Sequence, residues 1–180
     1  KTNLHYRIAL WILRKTGSGN QGLLLGFMLA TGFMSMWISN TATSMMMLPI
    51  ATSVLSVLPE QKSKAMSRPI LLSIAWRANI GGMATLIGTT PNMIFAGFLS
   101  DQFSREIGFV EWLPIGLSAS LSIGVIAYVL LRRSLPGESS TTELAQTTAW
   151  IEEQCRELGR MSPVQKRVSL IFILTAVLWI

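Results

Sequence analysis

Hydrophobic and polar positions fall in long blocks along this chain rather than alternating at the short period of a soluble fold. Residues 1–20 open with KTNLHYRIALWILRK, in which apolar residues at 4, 8, 11 and 12 are interleaved with Arg7, Arg14 and Lys15. That spacing predicts an amphipathic helix lying in a membrane interface on the cytoplasmic side, closed by the breaker TGSGN. Residues 21–58 carry no charge at all. They provide two helical arms of about 17 residues, each roughly 25 Å long. Residues 59–68 (PEQKSKAMSR) are polar and basic and predict a cytoplasmic loop. Residues 69–110 predict a broken transmembrane helix and an outer loop: an apolar run containing Arg77, an interruption at GTTPN (88–92), a resumed apolar run, then a polar stretch from Ser100. Residues 111–133 predict a complete span ending at Arg132 and Arg133. Residues 134–167 read as a cytoplasmic linker followed by an amphipathic surface helix around Glu143 to Leu158. Residues 168–180 begin a further span.

Composition turns this pattern into a class. The chain has 180 residues, half of them hydrophobic and 13% charged, with a mean hydropathy of +0.47. Soluble domains carry roughly a quarter charged residues, so an all-α integral membrane protein is expected. The net charge of +6 does not suggest nucleic acid, because the cations flank apolar runs instead of clustering on one soluble face. Of fifteen Lys and Arg, thirteen lie in 1–15, 62–68, 132–133 and 156–167. Placing those segments in the cytoplasm satisfies the positive-inside rule. Residues 21–58 then leave and return on one side, as a hairpin turning at Ser39, Asn40 and Thr41. The chain does not begin with Met and ends within the apolar run LIFILTAVLWI, which reads as a fragment of a longer protein. No signal peptide is recognisable. The single Cys155 reads as an ordinary thiol, and the single His5 has no ligand partners nearby in sequence.

The two interruptions carry the chemistry. MWISNTATSMMMLPIATSV (36–54) places seven small polar residues among Met, Leu, Ile, Val and Trp. Non-helical backbone inside a bilayer is tolerated only where protein or a water-filled cavity satisfies its peptide groups. At the second break, Gly88 can take the left-handed conformation that closes a helix, Thr90 can serve as N-cap, and Pro91 suits the first helical position. At the first break, Ser39, Asn40 or Thr41 can cap the arm that follows. Each break offers free N–H groups, which favour an anion, and unpaired carbonyls, which favour a cation. Paired interrupted helices of this kind are expected at the centre of a secondary transporter. Pro49 in the second arm is expected to kink it, and Gly22 and Gly26 read as helix packing. Arg77 stands between two readings, a functional intramembrane charge and a side chain snorkelling to the interface.

MWISNTATSMMMLPI and ATLIGTTPNMI resemble two signatures of the divalent anion/sodium symporter family, which includes bacterial Na⁺/dicarboxylate carriers. The resemblance runs in order along the whole chain. It implies the first of two inverted repeats in an elevator-type transporter, a homodimer in the bacterial inner membrane, and a site shared with a second repeat absent from these residues. Carried across, a first Na⁺ site comprises Ser35, Ser39, Asn40 and Gly88. The substrate carboxylate is met by Asn40, Thr41 and Thr89, with Thr90 counted among the substrate-binding residues, while Thr90, Pro91 and Asn92 shape the loop. The expected function is Na⁺-coupled symport of di- or tricarboxylates. A dicarboxylate exchanger, a sulfate carrier of the same fold and a membrane anion sensor are the alternatives. An enzyme is not expected, because the apolar region holds no nucleophile, base or metal-ligand set.

Overall fold

The computed structural model describes residues 4–137 and 139–178, and among these it is built from helices without strands. The order is α1 (Leu4–Thr16), α2 (Asn20–Ser35), α3 (Asn40–Val57), α4 (Glu60–Gly82), α5 (Thr90–Phe103), α6 (Phe109–Arg132), α7 (Thr141–Glu157) and α8 (Pro163–Leu178). The expected masses of helix and the two interruptions are present, with several limits displaced. The chain positions of Lys1 to Asn3, Glu138, Trp179 and Ile180 lie outside the described residues.

Local chemistry accounts for the ends. Gly17, at φ 90°, closes α1. Ser39 caps α3 by accepting a hydrogen bond from the Ala42 amide. Ser140 and Glu143 form a reciprocal capping box at the start of α7. Gly159, at φ 56°, follows the end of α7 and donates from its amide to Arg156. Ser104 ends α5 in the left-handed region, at φ 51°.

One expected loop is helical. Residues 59–68 were expected to be irregular, yet α4 starts at Glu60, directly after Pro59. The physical reason is composition: Glu, Gln, Lys, Ala, Met and Arg are strong helix formers. Their polarity places the segment outside an apolar layer without preventing it from being helical. Lys64 pairs with Glu60 along the same helix face, 2.6 Å apart. Similarly, α5 continues to Phe103, past the expected start of the polar stretch, and α8 begins at Pro163.

The core gathers around the hairpin of α2 and α3. Leu10 and Leu13 of α1, Phe27 of α2, Met47, Ile50 and Val54 of α3, and Met66, Ile70 and Ile74 of α4 are all buried together. A second cluster joins Leu24 and Met28 of α2 to Ile80 of α4 and Ala127 and Leu131 of α6. The outer face of α6 stays apolar and exposed at Ile115, Val125 and Ile126. Among the described residues α6 is the one helix both long and apolar enough to cross a membrane by itself. Polar ties hold the basic end. Lys62 forms an ion pair with Glu143, Tyr6 donates to Gln154 at 2.7 Å, and Arg7 donates to the Leu158 and Gly159 carbonyls at 2.7 and 2.8 Å. The Lys62 hydrogen bond, then that from the Ser140 amide, holds the Glu143 carboxyl below its usual range. The capping carboxylate is therefore ionised at neutral pH.

Helices α2 and α4 approach closely, so that a Cβ added at Gly81 would lie 2.5 Å from the Gly32 carbonyl oxygen. Backbone cannot yield there as a side chain would. Gly81→Ala is expected to destabilise the full-length protein by about 1–3 kcal/mol, as overpacking generally does. Gly97→Ala, where nothing lies within 4 Å of the added carbon, is expected to be neutral. Thermal unfolding in detergent distinguishes the two, and equal melting temperatures would contradict this packing.

Candidate functional site

The first break lies between α2 and α3. It was expected at Ser39, Asn40 and Thr41, but the non-helical residues are 36–39 and α3 already begins at Asn40. The amides of Trp37 and Ile38 both turn back to the Met34 carbonyl, each at 3.1 Å. Ser39 then takes the N-cap position, so the polar SNT sequence opens the second arm instead of forming the bend. The apolar bend is covered by aromatic contacts: Trp37 stacks on Phe109 at 6.3 Å and meets Phe172 edge-on at 5.1 Å.

The second break spans residues 83–89, between α4 and α5, and starts five residues earlier than GTTPN suggests. Gly88 does not adopt the left-handed conformation, since α4 has already ended at Gly82 and no helix terminates at Gly88. Thr89 occupies the N-cap position in extended backbone, with Thr90 and Pro91 in the first turn of α5. Thr90 is thus not the cap. Side chains take up the carbonyls released by this break. Buried Asn92 donates from Nδ2 to Gly82 at 3.1 Å and to Thr85 at 2.8 Å. Trp112 Nε1 donates to Met83 at 3.0 Å. Thr85 is itself buried and donates across to the Met36 carbonyl in the other break.

The two breaks meet over Gly82. A Cβ placed there would lie 2.3 Å from Asn40 Oδ1 and 3.2 Å from the Gly88 carbonyl oxygen, and a Cβ at Gly88 would lie 2.4 Å from the Gly82 carbonyl oxygen. Only glycine at both positions allows this approach. Ser35, fully buried, donates to the Ala78 carbonyl, and its Oγ stands 2.9 Å from Asn40 Oδ1. Asn40 Nδ2 donates to Asn79 Oδ1 at 3.1 Å, while Asn79 Nδ2 donates back to Ala75 at 3.0 Å and so holds its oxygen toward Asn40.

Of the residues expected to bind a cation, Ser35, Asn40 and Gly88 come together, and Ser39 lies at the adjoining cap with its Oγ used by Ala42. Thr41 is exposed on the first turn of α3; Thr89 is half-buried and Thr90 exposed at the start of α5. Asn92 holds the loop, as expected. Asn79, Gly82 and Thr85 were not anticipated. The Gly81–Gly82 pair was the available sign of a close approach, whereas Asn79 and Thr85 look like ordinary polar residues of a membrane helix. The gathered groups are neutral oxygens: a hydroxyl, a side-chain amide and peptide carbonyls. Such hard ligands suit an alkali cation, and the N-terminal turns of α3 and α5 have the dipole sense that favours an anion. Among the described residues no cluster of three or more His, Cys, Asp or Glu could hold a metal.

Two interrupted helices meeting over neutral oxygens are the arrangement of a secondary transport protein. The family model described as citrate transporter matches residues 1–180, and the chain belongs to that family. It is 34% identical to a sodium-dependent dicarboxylate transporter, SdcS, of Staphylococcus saprophyticus. It is 36% identical to the SdcS protein of Staphylococcus aureus. Each match covers 99% of this chain and 36% of the relative, so the chain spans about a third of the length of these curated relatives.

Asn92→Ala leaves the Gly82 carbonyl without its side-chain donor and the Thr85 carbonyl with the Gly88 amide alone. Each buried group so stranded costs roughly 1–3 kcal/mol. The full-length variant is expected to melt several degrees below wild type, and Asn92→Asp, which cannot donate when ionised, is expected to do the same. Wild-type melting of both variants would show that the break does not depend on this side chain.

Proposed function

We propose that this chain forms most of the first repeat of a Na⁺-coupled symporter of di- or tricarboxylates in the bacterial inner membrane. The observation that carries the reading is the convergence of Asn40, Gly82 and Gly88 where two helices are cut short. In this reading Na⁺ is held by the Ser35 hydroxyl, the Asn40 side-chain oxygen and the Gly88 carbonyl, with Ser39 closing the tip. The substrate carboxylate meets Asn40 and Thr41 at the start of α3, and Thr89 and Thr90 at the start of α5. Because no cationic side chain hydrogen-bonds to these groups among the described residues, the bound Na⁺ and the helix N-termini offset the anion's charge. Substrate and ion binding are thereby coupled. The names of the two SdcS relatives support both the ion and the substrate class.

The hairpin is re-entrant in this proposal. Its arms of 16 and 18 residues extend only about 24 and 27 Å, short of the roughly 30 Å hydrocarbon layer. The remaining helices make the protein multi-pass, with the basic segments in the cytoplasm. A second inverted repeat completes the site, and the assembled protein works as a homodimer that carries its site across the membrane by an elevator-type displacement. The surface presented by Thr41 and Thr90 faces that second repeat.

The test uses the full-length protein. Asn40→Ala and Thr41→Ala are each expected to reduce succinate uptake to below about a tenth of wild type without lowering the membrane yield. Replacing external Na⁺ by K⁺ is expected to abolish uptake by the wild type. Unchanged uptake in the variants would overturn the site, and uptake into Na⁺-free vesicles preloaded with dicarboxylate would replace symport by exchange.

A further inference from the structure

Arg77 is a cation in the middle of an apolar run, and the helices around it are shaped to receive it. A Cβ at Gly32 of α2 would lie 2.5 Å from Arg77 Nε, and one at Gly124 of α6 would lie 2.7 Å from Nη1. Both glycines are buried. Nη1 donates to the carbonyl of Ser120 at 3.0 Å and to its hydroxyl at 3.2 Å. The guanidinium therefore lies sideways between α2 and α6 instead of snorkelling along α4 to the basic end. It forms no ion pair among the described residues. An unpaired charge held this way is costly in an apolar layer and marks a functional position.

Its place relative to the candidate site is the informative feature. Gly32, against which the guanidinium packs, lies three residues before Ser35, about 4.5 Å along the same helix. Ala78, the next residue in the chain after Arg77, supplies the carbonyl that accepts the Ser35 hydroxyl. Along α2 the charge thus packs about one helical turn before Ser35 and makes no hydrogen bond with the oxygens around Asn40. Half-buried there, it raises the potential of the neighbouring site.

We propose that Arg77 is the fixed positive charge of the ion-and-anion site, strengthening the hold on a dianion and weakening the hold on Na⁺. This rests on the symporter reading above and adds to it a residue that selects for substrate charge. A purely mechanical role for Arg77, as a clamp between α2, α4 and α6, would change both affinities in the same direction through loss of structure. An electrostatic role moves them in opposite directions.

Succinate and Na⁺ binding to the purified full-length protein are measured for wild type, Arg77→Gln and Arg77→Lys. Arg77→Gln is expected to weaken succinate binding on the order of tenfold and to tighten Na⁺ binding without substrate by a similar factor. That is the scale for one unit charge acting over about 10 Å at an effective dielectric near 20. Arg77→Lys, which keeps the charge, is expected to stay close to wild type in both. Ser120→Asp, which pairs the charge without removing it, serves where Arg77→Gln fails to assemble, with the same opposite shifts expected. Unchanged affinities, or shifts of one sign, in a folded neutralised variant overturn the inference alone. Absence of Na⁺-dependent succinate binding in the wild type overturns the symporter reading and this inference with it.

Discussion

Whenever a helix stops in apolar surroundings, the peptide groups it releases need partners that solvent cannot supply. This protein meets that requirement in part by setting one interruption against the other. Thr85 in the second break donates to the Met36 carbonyl of the first, while Asn92 and Trp112 collect carbonyls at Gly82, Thr85 and Met83. The Thr85 bond runs crosswise, so the second break cannot shift without taking the donor from the Met36 carbonyl of the first. The hairpin, α4, α5 and the start of α6 are thereby tied into one unit. The core beneath it, from Phe27 and Met47 to Ile70, holds the helices that bear the two ends.

The same economy explains why neutral groups suffice at the centre. Glycines at 82 and 88 let backbone oxygens approach to distances that any side chain would prevent, and Asn40 is turned by Ser35 on one side and Asn79 on the other. A carboxylate at this point would be expensive to bury and would bind a cation too tightly to release. Amide, hydroxyl and peptide oxygens pose neither problem. In the proposed site the net field is set by the helix N-termini and by Arg77 behind them, so a charge that touches none of the site oxygens acts on them.

Much of this was legible in the sequence, for identifiable reasons. The uncharged stretch 21–58 with polar residues at its middle marked two helices with a break between them, and Gly-Thr-Thr-Pro marked a helix restart, because Gly and Pro act locally on backbone. What escaped was non-local. Nothing within PEQKSKAMSR distinguishes a polar loop from the polar first turns of a long helix, since its composition speaks about solvent and not about backbone. The break was expected at Gly88, but α4 ends at Gly82 because that glycine meets Asn40, a contact 42 positions away in the chain. Asn79 and Thr85 carry no local signal of their roles, and only the packing of α4 on the hairpin makes them part of the site. Arg77 was visible as an anomaly, while the glycine notch that holds it was not.

The central claim is that residues 36–42 and 83–92 form a single ion-dependent unit. Amide hydrogen exchange of the full-length protein in Na⁺ and in K⁺ addresses it most directly. Both segments are expected to exchange readily in K⁺ and to gain protection together in Na⁺, with a further gain when succinate is added. Protection equal to that of continuous helices in every condition, or a response of one segment without the other, would contradict the account.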